Sequence, residues 1–176
     1  MDVTTVITHT FPGDLDITIQ SPAGTVVTLT TDNGGSNDNV FNGTVWDDSA
    51  NPGGQVPYTT NNGLATDTPY VNLTLASPLV PEEAMGAFIG ENPNGEWVLT
   101  IEDDTATNGG GLTSWSLELV TSSNIPEQNI LAFSNTTPIS ITDAATTTST
   151  ITVAGADPYL WDLNLQTSIA HTFPAD

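Results

Sequence analysis

Apolar and polar residues alternate along much of the chain, and this pattern predicts a series of β-strands. The clearest run is DLDITIQ at 14–20, where Leu15, Ile17 and Ile19 lie on one face and polar residues lie on the other. A period of two residues is typical of a strand with one buried face. Apolar or β-branched runs between turn signals predict further strands at 3–9, 25–31, 44–48, 70–77, 95–104, 112–120, 149–155 and 159–171.

The residues between these runs are turn formers. SPAG at 21–24 joins two runs and TATNGGG at 105–111 separates two others, and Pro and Gly at such places favour turns and hairpins. The stretch 49–70 is dense in Pro, Gly and Asn and is predicted to be irregular, whereas 81–90 is the one predicted helical turn. Strands at this spacing, in a chain with 30 threonines, predict an all-β protein folded as an antiparallel β-sandwich or jelly roll.

The charge balance is extreme. Asp and Glu number 21, Lys and Arg are absent, and the formal net charge is −21 at pH 7. Such a chain offers no cation to phosphate, so nucleic acid is excluded as an expected partner. Repulsion among the carboxylates destabilises a compact fold, which makes Ca²⁺ or high ambient salt candidate sources of screening. The alternative is that this is simply the soluble surface of a secreted protein.

Two further features of the composition limit the classes of protein. Cysteine is absent, so disulfides and cysteine metal sites are excluded. No stretch approaches the roughly 20 apolar residues of a membrane-spanning helix, so membrane insertion is not expected.

A short segment near the start of the chain is repeated almost unchanged at its end. ITHTFPGD at 7–14 matches IAHTFPAD at 169–176, and the two copies lie 162 residues apart. This period is too long for the unit of a solenoid and corresponds to one domain per repeat. We therefore expect a slice of a tandem array, in which the boundary between domains falls inside the chain.

Six short motifs follow one another between residues 5 and 120. They are His9-Thr10, Gly13-Asp14-Leu15, Ser21-Pro22-Ala23-Gly24-Thr25, Asp47-Asp48-Ser49-Ala50, Gly95-Glu96-Trp97 and Gly111-Leu112-Thr113-Ser114-Trp115-Ser116-Leu117. In this order and at this spacing they resemble the P domain, or Homo B, of subtilisin-like proprotein convertases and of bacterial secreted proteins. The resemblance implies a jelly roll that accompanies proteases without being catalytic, often binds Ca²⁺, and stabilises, targets or links its neighbours.

The resemblance also explains the terminal repeat. Family members have a strand like STITVAG ahead of the His-Thr strand, whereas here that sequence lies at 149–155. The implied organisation is a jelly roll without its first strand at 1–122, a linker at 123–138, and the first strands of the next repeat at 139–176. Because a missing strand leaves an unpaired sheet edge, we expect the relocated strand to dock on its own domain or on a neighbouring copy.

Carboxylates in loops and at strand ends are the candidate metal ligands. Ca²⁺ takes six to eight oxygen ligands, and like charges next to each other in a chain without basic residues favour a cation between them. The candidates are Asp32, Asp38, Asp47, Asp48, Asp103 and Asp104. None of them forms a linear EF-hand pattern, so the alternative of merely solvated loop residues stays open.

The histidines and tryptophans are interpreted as structural residues. His9 and His171 lack the strained nucleophile turn and the ordered partners of a catalytic triad, so we expect hydrogen-bonded histidines beside turns. We expect Trp46, Trp97, Trp115 and Trp161 to pack in the core, with a carbohydrate-binding platform as the alternative.

The favoured function is a non-catalytic extracellular or cell-surface module, supported by Ca²⁺, that joins copies of itself head to tail by strand complementation into a filament or array. One alternative is an accessory domain that stabilises a secreted subtilisin-like serine protease. A carbohydrate-binding jelly roll is a third possibility.

Overall fold

The computed structural model describes residues 1–50, 70–124, 129–142, 145–158, 163–170 and 172. The chain divides into two units, Met1–Ser123 and Asn124–Asp176. The predicted jelly roll ends at residue 122, one residue before this boundary. Predictions for 51–69, Trp161 and His171 lie outside the described residues.

Six strands form the first unit. They are β1 (Asp2–His9), β2 (Leu15–Gln20), β3 (Val26–Thr31), β4 (Asn42–Asp47), β5 (Val98–Asp103) and β6 (Gly110–Glu118). One sheet has the order β4-β1-β6 and the other the order β3-β2-β5, and every ladder is antiparallel. The predicted all-β antiparallel sandwich is therefore confirmed, with each strand within a few residues of its expected position.

The core lies between the two sheets. The inward residues are those that the alternation predicts, such as Ile17 and Ile19 of β2 and Val3 and Ile7 of β1, all buried. Trp46 of β4 is completely buried and donates its indole N–H to the Thr5 hydroxyl at 3.0 Å. A buried indole needs such an acceptor, so Thr5 is a polar core residue with a specific role.

The prediction of a strand at 70–77 is wrong. Val71, Leu73 and Leu75 are exposed, and the Thr74 N–H donates to the carbonyl of Val71 in a turn. The apolar residues that alternate along this run therefore do not form a buried face. The segment crosses over one side of the sandwich and does not join a sheet. Ala76 is the one fully buried residue of this run, and Leu79, two residues beyond the run, is buried as well.

Two smaller predictions are refined. The helical turn expected at 81–90 is a 3₁₀ turn at Met85–Phe88, and a second one at Pro12–Asp14 links β1 to β2. Along β6 the apolar residues Leu112 and Trp115 are three residues apart, not two. The pairing of β6 with β1 shifts by one residue between them, since Ser114 lies opposite Val6 and Leu112 opposite Ile7. The β-bulge leaves Thr113 unpaired and keeps the apolar residues on one face.

The second unit contains no strand within 124, 129–142, 145–158, 163–170 and 172. The strands predicted at 149–155 and 159–171 are thus not formed by the described residues of this unit. The side chains of Ile151 and Val153 are 47% and 57% exposed. A strand needs a neighbouring strand to bond its main chain, whereas here the Thr150 carbonyl accepts from the side chain of Asn135 at 3.1 Å.

Within the part of the chain that the structure describes, no helix is long and apolar enough to cross a bilayer.

Candidate functional site

The two sides of the sandwich are covered to different extents. We call β3, β4 and residues 70–90 the closed side, and β5, β6 and the loop 104–109 the open side. On the closed side the inward residues Leu29 and Trp46 are fully buried. On the open side Leu112 is 44% exposed, and Trp115, Leu117, Leu99 and Ile101 are only partly buried against the core.

Main-chain pairing differs in the same way. The outer edge of β4 exchanges hydrogen bonds with Leu79, and the outer edge of β3 receives the N–H groups of Glu82 and Glu83. The strands β5 and β6 are the last of their sheets, and no described segment forms a bridge with their outer edges. Such an edge is a template for another strand.

A groove opens between β5 and β6 at the end where these strands meet the loop. Its volume is about 180 Å³. Its lining is mainly apolar and comes from both sheets: Ile7, His9, Leu15, Ile101, Asp103, Gly110, Gly111 and Leu112. The groove is therefore suited to aliphatic side chains that enter from the open side.

A histidine–carboxylate pair joins the two sheets at this groove. His9 ends β1 and is 4% exposed, and its Nε2 lies 3.2 Å from Oδ2 of Asp103, at the end of β5. Its Nδ1 accepts the Phe11 N–H at 3.2 Å, so the ring proton is on Nε2 and is donated to Asp103. The expected structural histidine beside a turn is confirmed, since both ring nitrogens are used in holding the strands and the turn together.

Close approach of the main chains fixes the start of β6. A Cβ on Gly110 would lie 1.7 Å from the Thr8 carbonyl oxygen and 2.7 Å from the His9 Cα, whereas a Cβ on Gly111 would meet nothing within 4 Å. Only glycine fits at the first of these positions. The glycine run that the sequence marks as a hairpin loop is therefore also a packing element of the groove.

The predicted metal ligands do not converge on one point among the described residues, although Asp32 and Asp104 both lie near Asp16 of β2. Oδ1 of Asp47 accepts the N–H of Ser49 at 2.7 Å within its own turn. The two carboxylate oxygens of Asp48 accept the N–H groups of Met85 at 2.9 Å and Gly86 at 2.7 Å. Asp48 therefore caps the 3₁₀ turn of the closed side.

The other candidate carboxylates also have protein partners or main-chain roles. Asp103 binds His9, and Oδ1 of Asp104 lies 3.1 Å from the Thr105 hydroxyl. Asp32 adopts a positive φ of 54°, and Asp38 donates its N–H to the Asn72 side chain at 2.6 Å. Among the described residues no three acidic or histidine side chains come together as a metal site.

One carboxylate on the outer face of β2, that of Asp16, is repelled by neighbouring carboxylates. Burial, and then the charges of Asp32, Asp104, Glu102 and Glu82, raise the pKa of the Asp16 carboxyl above its usual value. Its Oδ1 is buried and has no hydrogen-bond partner among the described residues. The charged form of Asp16 is thus disfavoured in the folded chain.

The tryptophans largely behave as core residues. Trp46 is fully buried, and Trp97 and Trp115 pack against the core while remaining partly accessible. Trp97 donates to the Pro93 carbonyl at 3.0 Å and stacks edge-on with Phe88 at 5.1 Å. The core-packing interpretation is confirmed for Trp46.

Several residues that hold the site together carry no motif in the sequence. Oδ1 of Asn39 accepts the His9 N–H at 3.0 Å, and the Asn108 amide donates to Asp14 at 3.1 Å. Glu82 accepts from the N–H of Thr31 and the amide of Asn33, both at 2.7 Å. These partners are 30 to 94 residues apart in sequence, so no local pattern marks them.

The fold and the groove define a β-sandwich module in which the described residues cover one side more fully than the other. The family model of the proprotein convertase P-domain matches residues 1–119. The chain therefore belongs to the proprotein convertase P-domain family, whose P domain is an accessory, non-catalytic domain found in secreted proteins. No curated protein and no solved structure matches the chain.

Proposed function

We propose that this chain is an extracellular structural module that joins copies of itself head to tail, by placing residues 149–155 of one copy on the open side of the next. The observation that carries the proposal is the partial exposure of inward-facing apolar residues on β5 and β6, next to two strand edges that no described segment pairs with. A strand added at an edge satisfies main-chain groups and fills side-chain pockets at alternate positions.

The proposed donor has the matching chemistry. STITVAG at 149–155 alternates Ile151 and Val153 with threonines, and no charged residue occurs from 144 to 156. Because 144–156 carries no charge, this segment adds no local repulsion when it approaches another acidic copy. The terminal repeat has a period of 162 residues, so the donor precedes the second copy of β1. It therefore corresponds to a strand that would precede β1 in a complete repeat.

The proposal is tested by the state of assembly of the full chain. We expect sedimentation velocity over a concentration series to show growing assemblies and electron microscopy to show fibres with a regular axial repeat. The double substitution Ile151→Asp and Val153→Asp should weaken assembly by more than about 100-fold, since burial of each aliphatic side chain contributes about 1.5–3 kcal/mol.

The matched control adds the same charge elsewhere in the same unit. Ile139→Asp and Ile141→Asp replace two residues that are also exposed but lie outside the donor segment, and assembly should persist. A wild-type chain that stays a monomer at every concentration, or equal loss in both double variants, contradicts the proposal.

Calcium support is the second part of the proposal. It rests on the charge of −21 without basic residues, because a divalent cation lowers the repulsion among carboxylates. Thermal unfolding with Ca²⁺ and with a chelator, at constant ionic strength, tests it. An unchanged midpoint contradicts structural calcium.

A second candidate function is favoured by the family match, which links the chain to domains of proprotein convertases. In that role the chain stabilises the catalytic domain of a secreted subtilisin-like serine protease. The test is the rate of thermal inactivation of such a catalytic domain with and without an equimolar amount of the chain. Slower inactivation supports this role.

A further inference from the structure

We infer that the donated strand 149–155 of a second copy pairs antiparallel with β5, and so extends the sheet β3-β2-β5 to four strands, instead of adding to β6. The inference rests on the proposed function and selects one of the two unpaired edges of the open side. It follows from the directions of the strands, the length of one connection and the composition of the donor.

The directions of the strands are fixed by contacts at the groove. His9 is the last residue of β1 and Asp103 the last residue of β5, and their side chains are 3.2 Å apart. Gly110, the first residue of β6, lies opposite His9. Strands β1 and β5 therefore end where β6 begins, so a strand antiparallel to β1 runs antiparallel to β5 and parallel to β6.

The length of one connection sets the direction of the donor. Ile7 corresponds to Ile169, so β1 corresponds to 164–171, and only the eight residues 156–163 separate the donor from that copy of β1. A chain that returns to the starting end of a strand and runs parallel to it needs a crossover of about a dozen or more residues, and eight residues are short for that. Gly155, with a φ of 77°, and Pro158 also favour a reversal of the chain. The donor therefore runs antiparallel to the β1 that follows it.

The register with β5 that turns Ile151 and Val153 toward the core also matches the side chains. Ile151 and Val153 lie on one face of the donor and would cover the partly buried Leu99 and Ile101 and the groove beyond them. A cavity of about 150 Å³ holds one benzene ring, so a groove of about 180 Å³ suits a branched aliphatic side chain.

The opposite face of the donor suits the outer face of β5. Thr150 and Thr152 would lie beside Thr100 and Glu102, which are exposed. In a chain without Lys or Arg, hydroxyls are among the few side-chain donors that a carboxylate can find. A neutral, threonine-rich strand is therefore compatible with this acidic edge.

Engineered cross-links test the edge, and the absence of cysteine from the chain makes them easy to interpret. A Thr152→Cys chain is mixed with a Thr100→Cys chain, whose cysteine lies on the outward face of β5, or with a Ser116→Cys chain, whose cysteine lies on the outward face of β6. Thr150→Cys and Ala154→Cys cover the neighbouring registers. We expect disulfide-linked dimers to form at least about tenfold faster with Thr100→Cys than with Ser116→Cys, since paired strands bring the two Cα atoms within bonding reach.

The outcomes separate this inference from the proposed function. Assembly with cross-links to Ser116→Cys, or with none at either edge, overturns the choice of β5 and leaves strand donation in place. Cross-linking confined within single chains that carry both Thr100→Cys and Thr152→Cys supports β5 but overturns assembly between copies. Absence of both assembly and cross-links overturns both.

Discussion

The closed and open sides of the sandwich are built from strands of similar length, yet only one of them buries its inward residues fully. Trp46 on β4 is 0% exposed and Leu112 on β6 is 44% exposed. The difference comes from what lies beside the strands: residues 76–83 bond to the edges of β3 and β4, and no described segment does so at β5 and β6. Alternation makes a strand amphipathic, but burial is completed by whatever covers its edge.

The closed side also shows how a chain without basic residues uses its carboxylates. Oε2 of Glu83 accepts the Thr28 N–H and Oε1 of Glu82 accepts the Thr31 N–H, both at 2.7 Å, and Asp48 accepts two N–H groups of the 3₁₀ turn. Hydrogen bonds from N–H groups to ionised acceptors are stronger than neutral ones. Main-chain N–H groups thus take the part that Lys and Arg play elsewhere, and they attach the covering segment to β3 and β4.

The largest expected difference between the two sides is in the free energy of unfolding that is lost when a tryptophan is replaced by alanine. Trp46→Ala should lower the free energy of unfolding by about 3–5 kcal/mol, because it empties a fully buried site and leaves the Thr5 hydroxyl unpaired. Trp115→Ala should lower it by about half as much, since its side chain is partly accessible. Urea unfolding in the assembly-deficient Ile151→Asp and Val153→Asp background measures both.

If Trp46→Ala does not fold, Trp46→Phe gives the milder version of the same test. It removes the 3.0 Å hydrogen bond to Thr5 and part of the ring, and we expect a loss of about 1–2 kcal/mol. Equal losses at positions 46 and 115 would contradict the distinction between the sides.

The open side is nevertheless tightly built where β6 begins. Gly110→Ala would place a methyl group 1.7 Å from the Thr8 carbonyl oxygen, so β1 and β6 must move apart and the His9–Asp103 contact is disturbed. We expect a loss of about 3 kcal/mol in urea unfolding. Gly111→Ala is the matched control, because its Cβ meets nothing within 4 Å, and it should change stability by less than about 0.5 kcal/mol.

The attachment of the covering segment gives the next effect in size. Asp48→Ala removes the acceptor of two main-chain N–H groups at Met85 and Gly86, and we expect a loss of about 2 kcal/mol. Asp47→Ala removes one bond within its own turn and should cost about 0.5 kcal/mol. Thermal unfolding with and without Ca²⁺ separates the roles, since equal, chelator-sensitive losses in both variants indicate a shared cation and contradict the cap.

The sequence predicts the six strands and the sandwich well, because alternation at residues such as Leu15, Ile17 and Ile19 is a local signal of a buried face. The prediction fails at 70–77, where the same alternation occurs in a covering segment with exposed Val71 and Leu73. It fails there because burial depends on the neighbours that tertiary structure supplies.

The candidate site was predictable in outline only. The resemblance to P domains indicates an open edge, but it does not indicate that His9 and Asp103 close one end of the groove, since 94 residues separate them. The acidic pairs Asp47–Asp48 and Asp103–Asp104 suggest metal ligands when considered alone. In the folded chain Asp48 and Asp103 accept hydrogen bonds from N–H groups, which no spacing rule reveals.

The smallest expected effect, and the only stabilising one, concerns Asp16, whose β2 lies between the two sides. Burial and neighbouring carboxylates raise the pKa of Asp16, so the folded chain holds this proton at a pH where the unfolded chain has lost it. Stability therefore falls as the pH rises from about 4 through the raised pKa, and the penalty is complete above it. Asp16→Asn removes the penalty and should stabilise the chain at pH 7 by up to about 0.5 kcal/mol, with no gain at pH 3.

Measurements at high salt separate the two causes of the stability gained in Asp16→Asn, which are burial and charge repulsion. At 1 M NaCl the Debye length is about 3 Å, so the share from Asp32, Asp104, Glu102 and Glu82 should disappear while the share from burial remains. Asp38→Asn, which removes the same formal charge from a loop, is the control and should give a smaller gain. If the free energies of unfolding of wild type and Asp16→Asn run parallel from pH 3 to pH 7, repulsion on the outer face of β2 does not limit stability, and the charge of −21 must act through other residues.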